Sequence, residues 1–153
     1  MAERKKGGWY QGIFVPEHPE KCINQTTINY RSSWEKRFLC WLDTNPSVIK
    51  YGYEVITIPY RYEVDNKTHQ YIIDFYAEIM TKDNKLEKYL IEVKPKQQGQ
   101  KPVMPKRKSA KSMKNYVYEA HTYIKNQNKW QYADSYCRQN GMTFKILTKE
   151  NLF

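Results

Sequence analysis

No CxxC pair, no apolar run of membrane-spanning length and no internal repeat occurs in this chain. The three cysteines, Cys22, Cys40 and Cys137, stand far apart, which argues against a thiolate zinc site. Their odd number fits buried thiols in a reducing compartment better than a disulfide framework. The three histidines show no ligand spacing. His18 and Cys22 are four apart, but Pro16 and Pro19 disfavour a helix between them. No segment approaches the ~18 consecutive apolar residues of a spanning helix. The basic start "MAERKKGG" leads into no apolar stretch, so neither a membrane span nor a secretory leader is expected.

Acidic residues are also scarce. Sixteen face twenty-six Lys and Arg, for a formal charge of +10. A surplus of that size speaks about partners rather than fold, and names nucleic acid first, an anionic membrane second. Fourteen Tyr and four Trp in 153 residues suit strands, and they suit stacking on bases. No zinc finger, recognition-helix motif or RNP aromatic motif appears, so DNA binding with weak sequence preference is expected and an RNA-binding reading is disfavoured.

Composition sets residues 1–30, rich in Gly, Pro, Lys and Asn, apart as a basic arm lying on a single domain of residues 31–153, with Trp9, Tyr10 and Phe14 as anchors. "SSWEKRFLCWLDTN" has Trp34, Phe38, Trp41 and Leu42 at helical spacing, with Asn45-Pro46 as its stop. Strand signals follow in "VITIPYRYE", "HQYIIDFYAEIM" and "KYLIEVK". Between them "DNK" and "KDNK" are Asp/Asn turns, predicting an antiparallel meander. Residues 94–114 hold eight basic residues and no acidic one, with three prolines and a glycine, and read as a loop. A helix is predicted from about Ser109 to Asn126. A second helical stretch carries Trp130, Ala133 and Cys137 on one face and ends at Asn140-Gly141. "MTFKILT" is the last strand. The fold class is α/β, a mixed central sheet flanked by helices.

In "KYLIEVK", alternation sends Ile91 and Val93 one way, and Leu90, Glu92 and Lys94 the other. Asp74 interrupts the apolar run "YIIDFY". Folding back at "KDNK" can bring Asp74 beside Glu92 or Lys94. Charges seldom occupy buried strands without a role. Two carboxylates offer hard oxygen ligands for Mg²⁺ or Mn²⁺, and a lysine beside them offers a compact positive charge for a phosphate and an attacking water. That is the chemistry of metal-assisted phosphodiester hydrolysis. An "ExK" triplet alone is common, and Glu92 with Lys94 is also compatible with a solvated edge-strand pair. The "IIDFY" carboxylate is what lifts the functional reading.

Asp74 followed by Glu92-Val93-Lys94 resembles the D…(D/E)xK core of the PD-(D/E)xK nuclease superfamily, with Ile73 where a proline usually precedes the Asp. "YRSSWEKRFLCWLDTNPSVIKYGYE" and "WQYADSYCRQNGMTFKILTKENLF" are similar to the opening and closing blocks of TnsA-like transposase endonucleases, so the likeness covers roughly residues 28–153. Size and block order also resemble the head-completion nucleases of T4-like tailed phages. The resemblance implies a restriction-endonuclease-like core, Mg²⁺ (or Mn²⁺) held by Asp74, Glu92 and the carbonyl of Val93, and Lys94 as the catalytic cation. It further implies DNA as substrate, products with 5′-phosphates, phage head, portal or neck proteins as partners, and location in the virion or host cytoplasm. It makes Glu35 a helical acid reaching the metal site. Ser32-Ser33-Trp34-Glu35 is equally a capping box in which Glu35 turns back to the backbone. Both readings of Glu35 stand at this point. Lys96, Gln97 and a backbone clamp of Lys101, Lys106, Arg107, Lys108, Lys111 and Lys114 are the expected DNA contacts. A non-catalytic protein that grips DNA at the phage head is the competing expectation.

Overall fold

The computed structural model describes residues 4–6, 9–94, 100–148 and 151, with side chains described from residue 11 onward. Strands β1 (Arg4–Lys6), β2 (Trp9–Phe14) and β3 (Ile28–Tyr30) form one small antiparallel sheet. Helix α1 (Ser33–Thr44) follows, then β4 (Val48–Tyr53) and the strands β5 (Thr57–Tyr62) and β6 (Lys67–Ile72), which pair only with each other as a hairpin. Strands β7 (Phe75–Met80) and β8 (Leu86–Val93), helix α2 (Ala110–Gln139) and β9 (Thr143–Leu147) complete the chain. The central sheet has the order β4-β7-β8-β9. Its first three strands are antiparallel, and β9 runs parallel to β8. This is the mixed sheet flanked by helices of a restriction-endonuclease-like core.

The two faces of that sheet bury different layers. Phe75, Ala77 and Ile91 pack with Phe38, Leu39 and Leu42 of α1 and with Phe14, Ile28 and Tyr30 of the small sheet. On the other face Leu90 packs with Ala133 and Cys137 of α2 and with Ile58, Tyr60 and Tyr71 of the β5–β6 hairpin. Residues 9–30, set apart by composition, therefore contribute to the main core. They are tied down by Asp43. Its buried carboxylate accepts from the Glu17 N–H at 2.8 Å and from the Tyr51 hydroxyl at 2.9 Å, while Lys21 Nζ donates to the Asp43 and Asn45 carbonyls.

Three expectations are corrected, and one strand goes unnamed in the sequence pattern. The buried stripe of α1 is Phe38, Leu39, Leu42 and Asp43, whereas Trp41 is 45% exposed and stacks on Phe38 from the rim. The run "HQYIIDFYAEIM" is two strands, because the chain leaves the hairpin at Ile73-Asp74 and enters the central sheet. Val48–Tyr53 is a strand that short-range pattern did not single out. The two helical stretches after Ser109 are one 30-residue helix. Its N-cap is Ser109 and its stop is Asn140-Gly141, with Gly141 at φ +68°, a conformation glycine adopts without strain. Both Asp/Asn turns formed as expected, with Asn66 and Asn84 at positive φ.

Candidate active site

Asp74, Glu92 and Lys94 meet at the α2-facing end of β7 and β8. Register makes this unavoidable. The last ladder pair is Phe75↔Ile91, so one step further Asp74 lies across from Glu92. The Val93 N–H donates to Asp74 Oδ2 at 3.0 Å, and Lys94 Nζ stands 3.1 Å from Glu92 Oε1. The Lys94 N–H donates to the Leu147 carbonyl at 2.9 Å, so β9 anchors the strand end from which the lysine emerges.

The chemistry of the site follows from its burial. Glu92 is only 3% exposed, and its Oε2 has no hydrogen-bond partner among the described residues. Burial, then the neighbouring Glu92 charge, push the Asp74 carboxyl up to about 8, against the opposing pull of the Val93 N–H and Lys94. The Tyr71 hydroxyl lies close enough to Glu92 for its own ionisation to be suppressed, mainly by desolvation. Yet neither Tyr71 Oη nor Trp130 Nε1 completes a hydrogen bond among the described residues. Three buried polar atoms thus lie close enough to influence one another but without well-formed hydrogen bonds, an arrangement that a further polar partner would complete.

These donors fit a hard divalent cation. The free Glu92 oxygen and the Asp74 carboxylate, disfavoured in its charged form, are oxygen ligands whose repulsion a cation would cancel. Among the described residues no group of three or more His, Cys, Asp and Glu could hold an ion by side chains alone. Two carboxylates plus a backbone carbonyl is the set that β7 and β8 offer.

Glu35 approaches from the other layer. Ser32 Oγ accepts from the Glu35 N–H at 3.2 Å, and Glu35 Oε2 accepts from the Arg31 N–H at 2.6 Å, one residue earlier than a standard capping box. The same Oε2 accepts from the Tyr53 hydroxyl at 3.4 Å. Desolvation raises the Glu35 carboxyl above its usual range, and its charge is felt at Asp74. The cap therefore leaves the Glu35 carboxylate within electrostatic range of Asp74. Beside it Arg31 pairs with Glu54 at 3.1 Å, and Glu54 holds a left-handed φ of 54°, an uncommon conformation for a side chain of this type. A Cβ on Gly52 would sit 2.6 Å from Val55 Cγ2, so this bend requires glycine. Gln11, Asn24, Asn29, Arg31, Tyr53 and Glu54 line a polar cleft of about 990 Å³ that opens here.

Two features escaped the sequence reading. Glu54 carries no pattern that marks it. Lys129 of α2 brings its Nζ to 5.1 Å from the Tyr71 ring and 6.0 Å from the Tyr60 ring, near enough to Lys94 and Glu92 to respond to both. Lys101, Lys106, Arg107, Lys108, Lys111 and Lys114 are all exposed. Lys96 and Gln97 lie outside the described residues, as do the side chains of Trp9 and Tyr10. Among the described residues no helix is long and apolar enough to cross a membrane.

The model of the TnsA-like endonuclease N-terminal family matches residues 45–149, a span that includes Asp74, Glu92, Lys94 and Lys129 and excludes Glu35. The head completion nuclease of Enterobacteria phage T4 is 37% identical over 144 residues, covering 94% of this chain and 93% of that protein.

Proposed function

The chain belongs to the TnsA-like endonuclease family, and from that premise we propose that it is a divalent-metal-dependent DNA endonuclease that processes DNA as a phage head is completed. The observation that carries the site assignment is the buried, partnerless Glu92 Oε2 beside an Asp74 whose charged form is disfavoured. In this reading Asp74, Glu92 and the Val93 carbonyl hold Mg²⁺ or Mn²⁺, which when bound supplies Lewis-acid polarisation of the phosphodiester. Lys94, oriented by Glu92, places its ammonium where charge builds on the phosphate and where the attacking water is positioned. Glu35 enters from α1 to orient water or hold a second ion. Residues 101–114, with Lys96, grip flanking phosphates and give affinity without sequence choice. Residues 31–153 act as one catalytic domain with residues 1–30 as its N-terminal segment. The head-completion role rests on the name of the phage T4 relative, and with it come head, portal or neck proteins as partners and the virion or host cytoplasm as location.

Incubation with supercoiled plasmid and with linear DNA, in Mg²⁺, Mn²⁺ or EDTA, tests this. Cleavage should require the ion and vanish in Asp74→Ala and Lys94→Ala. Tight binding with no cleavage under any divalent ion would replace the enzyme with a DNA-gripping structural protein.

A further inference from the structure

Helix α2 is longer than its packing requires. Its buried residues are Asn126, Ala133 and Cys137, all in the C-terminal half. The first half has no fully buried residue, although Ile124 packs against the hairpin core; it has no acidic residue in its first turn and carries Lys111 and Lys114 close to its N-terminus. Cations there oppose the helix dipole. A half-helix with no fully buried residue and lysines at its N-terminus calls for a role besides core packing.

The lysines supply it. Lys111 and Lys129 are 18 residues apart, five turns at 3.6 residues per turn, and Lys114 and Lys125 fall within roughly 60° of the same line. The stripe runs about 27 Å along the helix. Tyr118, 73% exposed, lies on the same line, and the acidic residues Glu119 and Asp134 lie off it. At the outer end the charges stand in solvent. At the inner end Lys125 lies 5.1 Å from the Tyr62 ring, and Lys129 lies over Tyr71 and Tyr60. Among the described residues neither lysine has a carboxylate salt-bridge partner. Lys129 is half-buried, and aromatic faces hold it there. A cation kept beside the site, within reach of the Glu92 and Asp74 charges but in no salt bridge among the described residues, is placed for an anion that arrives with substrate.

We propose that Lys111, Lys114, Lys125 and Lys129 form a phosphate track along α2 that leads one DNA strand into the catalytic site, with Lys129 as a second phosphate-contacting cation opposite Lys94. This rests on the endonuclease reading for its destination. Contact with the strand itself is measured separately.

The test uses the full chain and a short fluorescein-labelled DNA duplex in EDTA, with binding measured across a salt series, and plasmid cleavage in Mg²⁺ alongside. Lys129→Met and Lys125→Met keep the aliphatic stem over the rings and remove the charge. Each should lower the slope of log Kd against log salt by about 0.9, the value for one lost phosphate contact. Lys129→Met should also cut cleavage roughly tenfold or more, the scale of a lost charge-stabilising donor, at unchanged melting temperature. Lys125→Met should act mainly on binding. Unchanged slopes in folded variants would overturn the track. If Lys129→Met unfolds, solvent-exposed Lys111→Met gives the same slope reading. If the wild type shows no cleavage under any divalent ion, the enzymatic reading falls while the slopes still decide the track.

Discussion

Lys94 Nζ reaches only one oxygen of Glu92, at 3.1 Å from Oε1, and leaves Oε2 buried and free. The lysine thus neutralises the carboxylate without saturating it. A ligand atom is kept available in a place where an unpaired charge alone would not be tolerated.

Removing the lysine should therefore harm the fold as well as the reaction. Lys94→Met strands Glu92 in the interior and should cost about 3 kcal/mol, the low end for a broken buried pair. Adding Glu92→Gln should recover part of that loss. Urea denaturation of the two single variants and the double variant measures it, and an unchanged midpoint in Lys94→Met would show that the pair contributes nothing.

Asp74 sets a pH dependence. Its folded-state carboxyl titrates near 8, against an ordinary value of 3.8. Between those values the folded chain binds more protons than the unfolded one, so stability falls as pH rises from about 4 to 8. Mg²⁺ should flatten that slope by stabilising the ionised carboxylate, and Asp74→Asn should remove it. Thermal melts at several pH values, with the ion and with EDTA, read the sign directly; stability rising with pH in EDTA would refute the assignment.

Glu35 can be separated from its cap. Ser32→Ala should lower stability by ~1 kcal/mol and leave cleavage by folded protein intact. Glu35→Gln keeps an acceptor for the Arg31 N–H, so melting should change little while cleavage falls. Equal cleavage by Glu35→Gln and wild type would return Glu35 to a capping role alone.

Asp43 is the opposite case, a buried acid with no part in the chemistry. Asp43→Ala orphans the buried Tyr51 hydroxyl, at about 1–3 kcal/mol for a buried group left unpaired, and releases the Glu17 N–H that ties down the N-terminal segment. Its melting temperature should drop sharply, while cleavage per folded molecule at low temperature should match wild type.

The sequence disclosed what depends on neighbours along the chain. Strand alternation put Glu92 and Lys94 on one face, and the "KDNK" turn brought Asp74 back to them. Both Asn turns and both helix caps were readable because their signals are local. Other features depend on distant packing. The buried side of α1 was misjudged because Trp34 and Trp41 are large, yet the layer beneath admits Leu39 and leaves Trp41 at the rim. Lys129 is 35 residues beyond Lys94 in sequence, and only the way α2 crosses the hairpin brings them together. The break at Ile73-Asp74 leaves no mark in an apolar run.

That break has an engineering consequence. The Ile73 N–H is held by the Ile56 carbonyl and the Glu54 N–H by the Asp74 carbonyl, each at 3.0 Å, so the chain is clamped where it passes between sheets. The offset of Asp74 from Glu92 is set downstream, by residues 81–85. The β5–β6 ribbon is fastened to α2 and β8 through Ile58, Tyr60 and Tyr71, so only its turn around Asn66 is free to be lengthened or exchanged, and such a change would leave the spacing of the acids as it is.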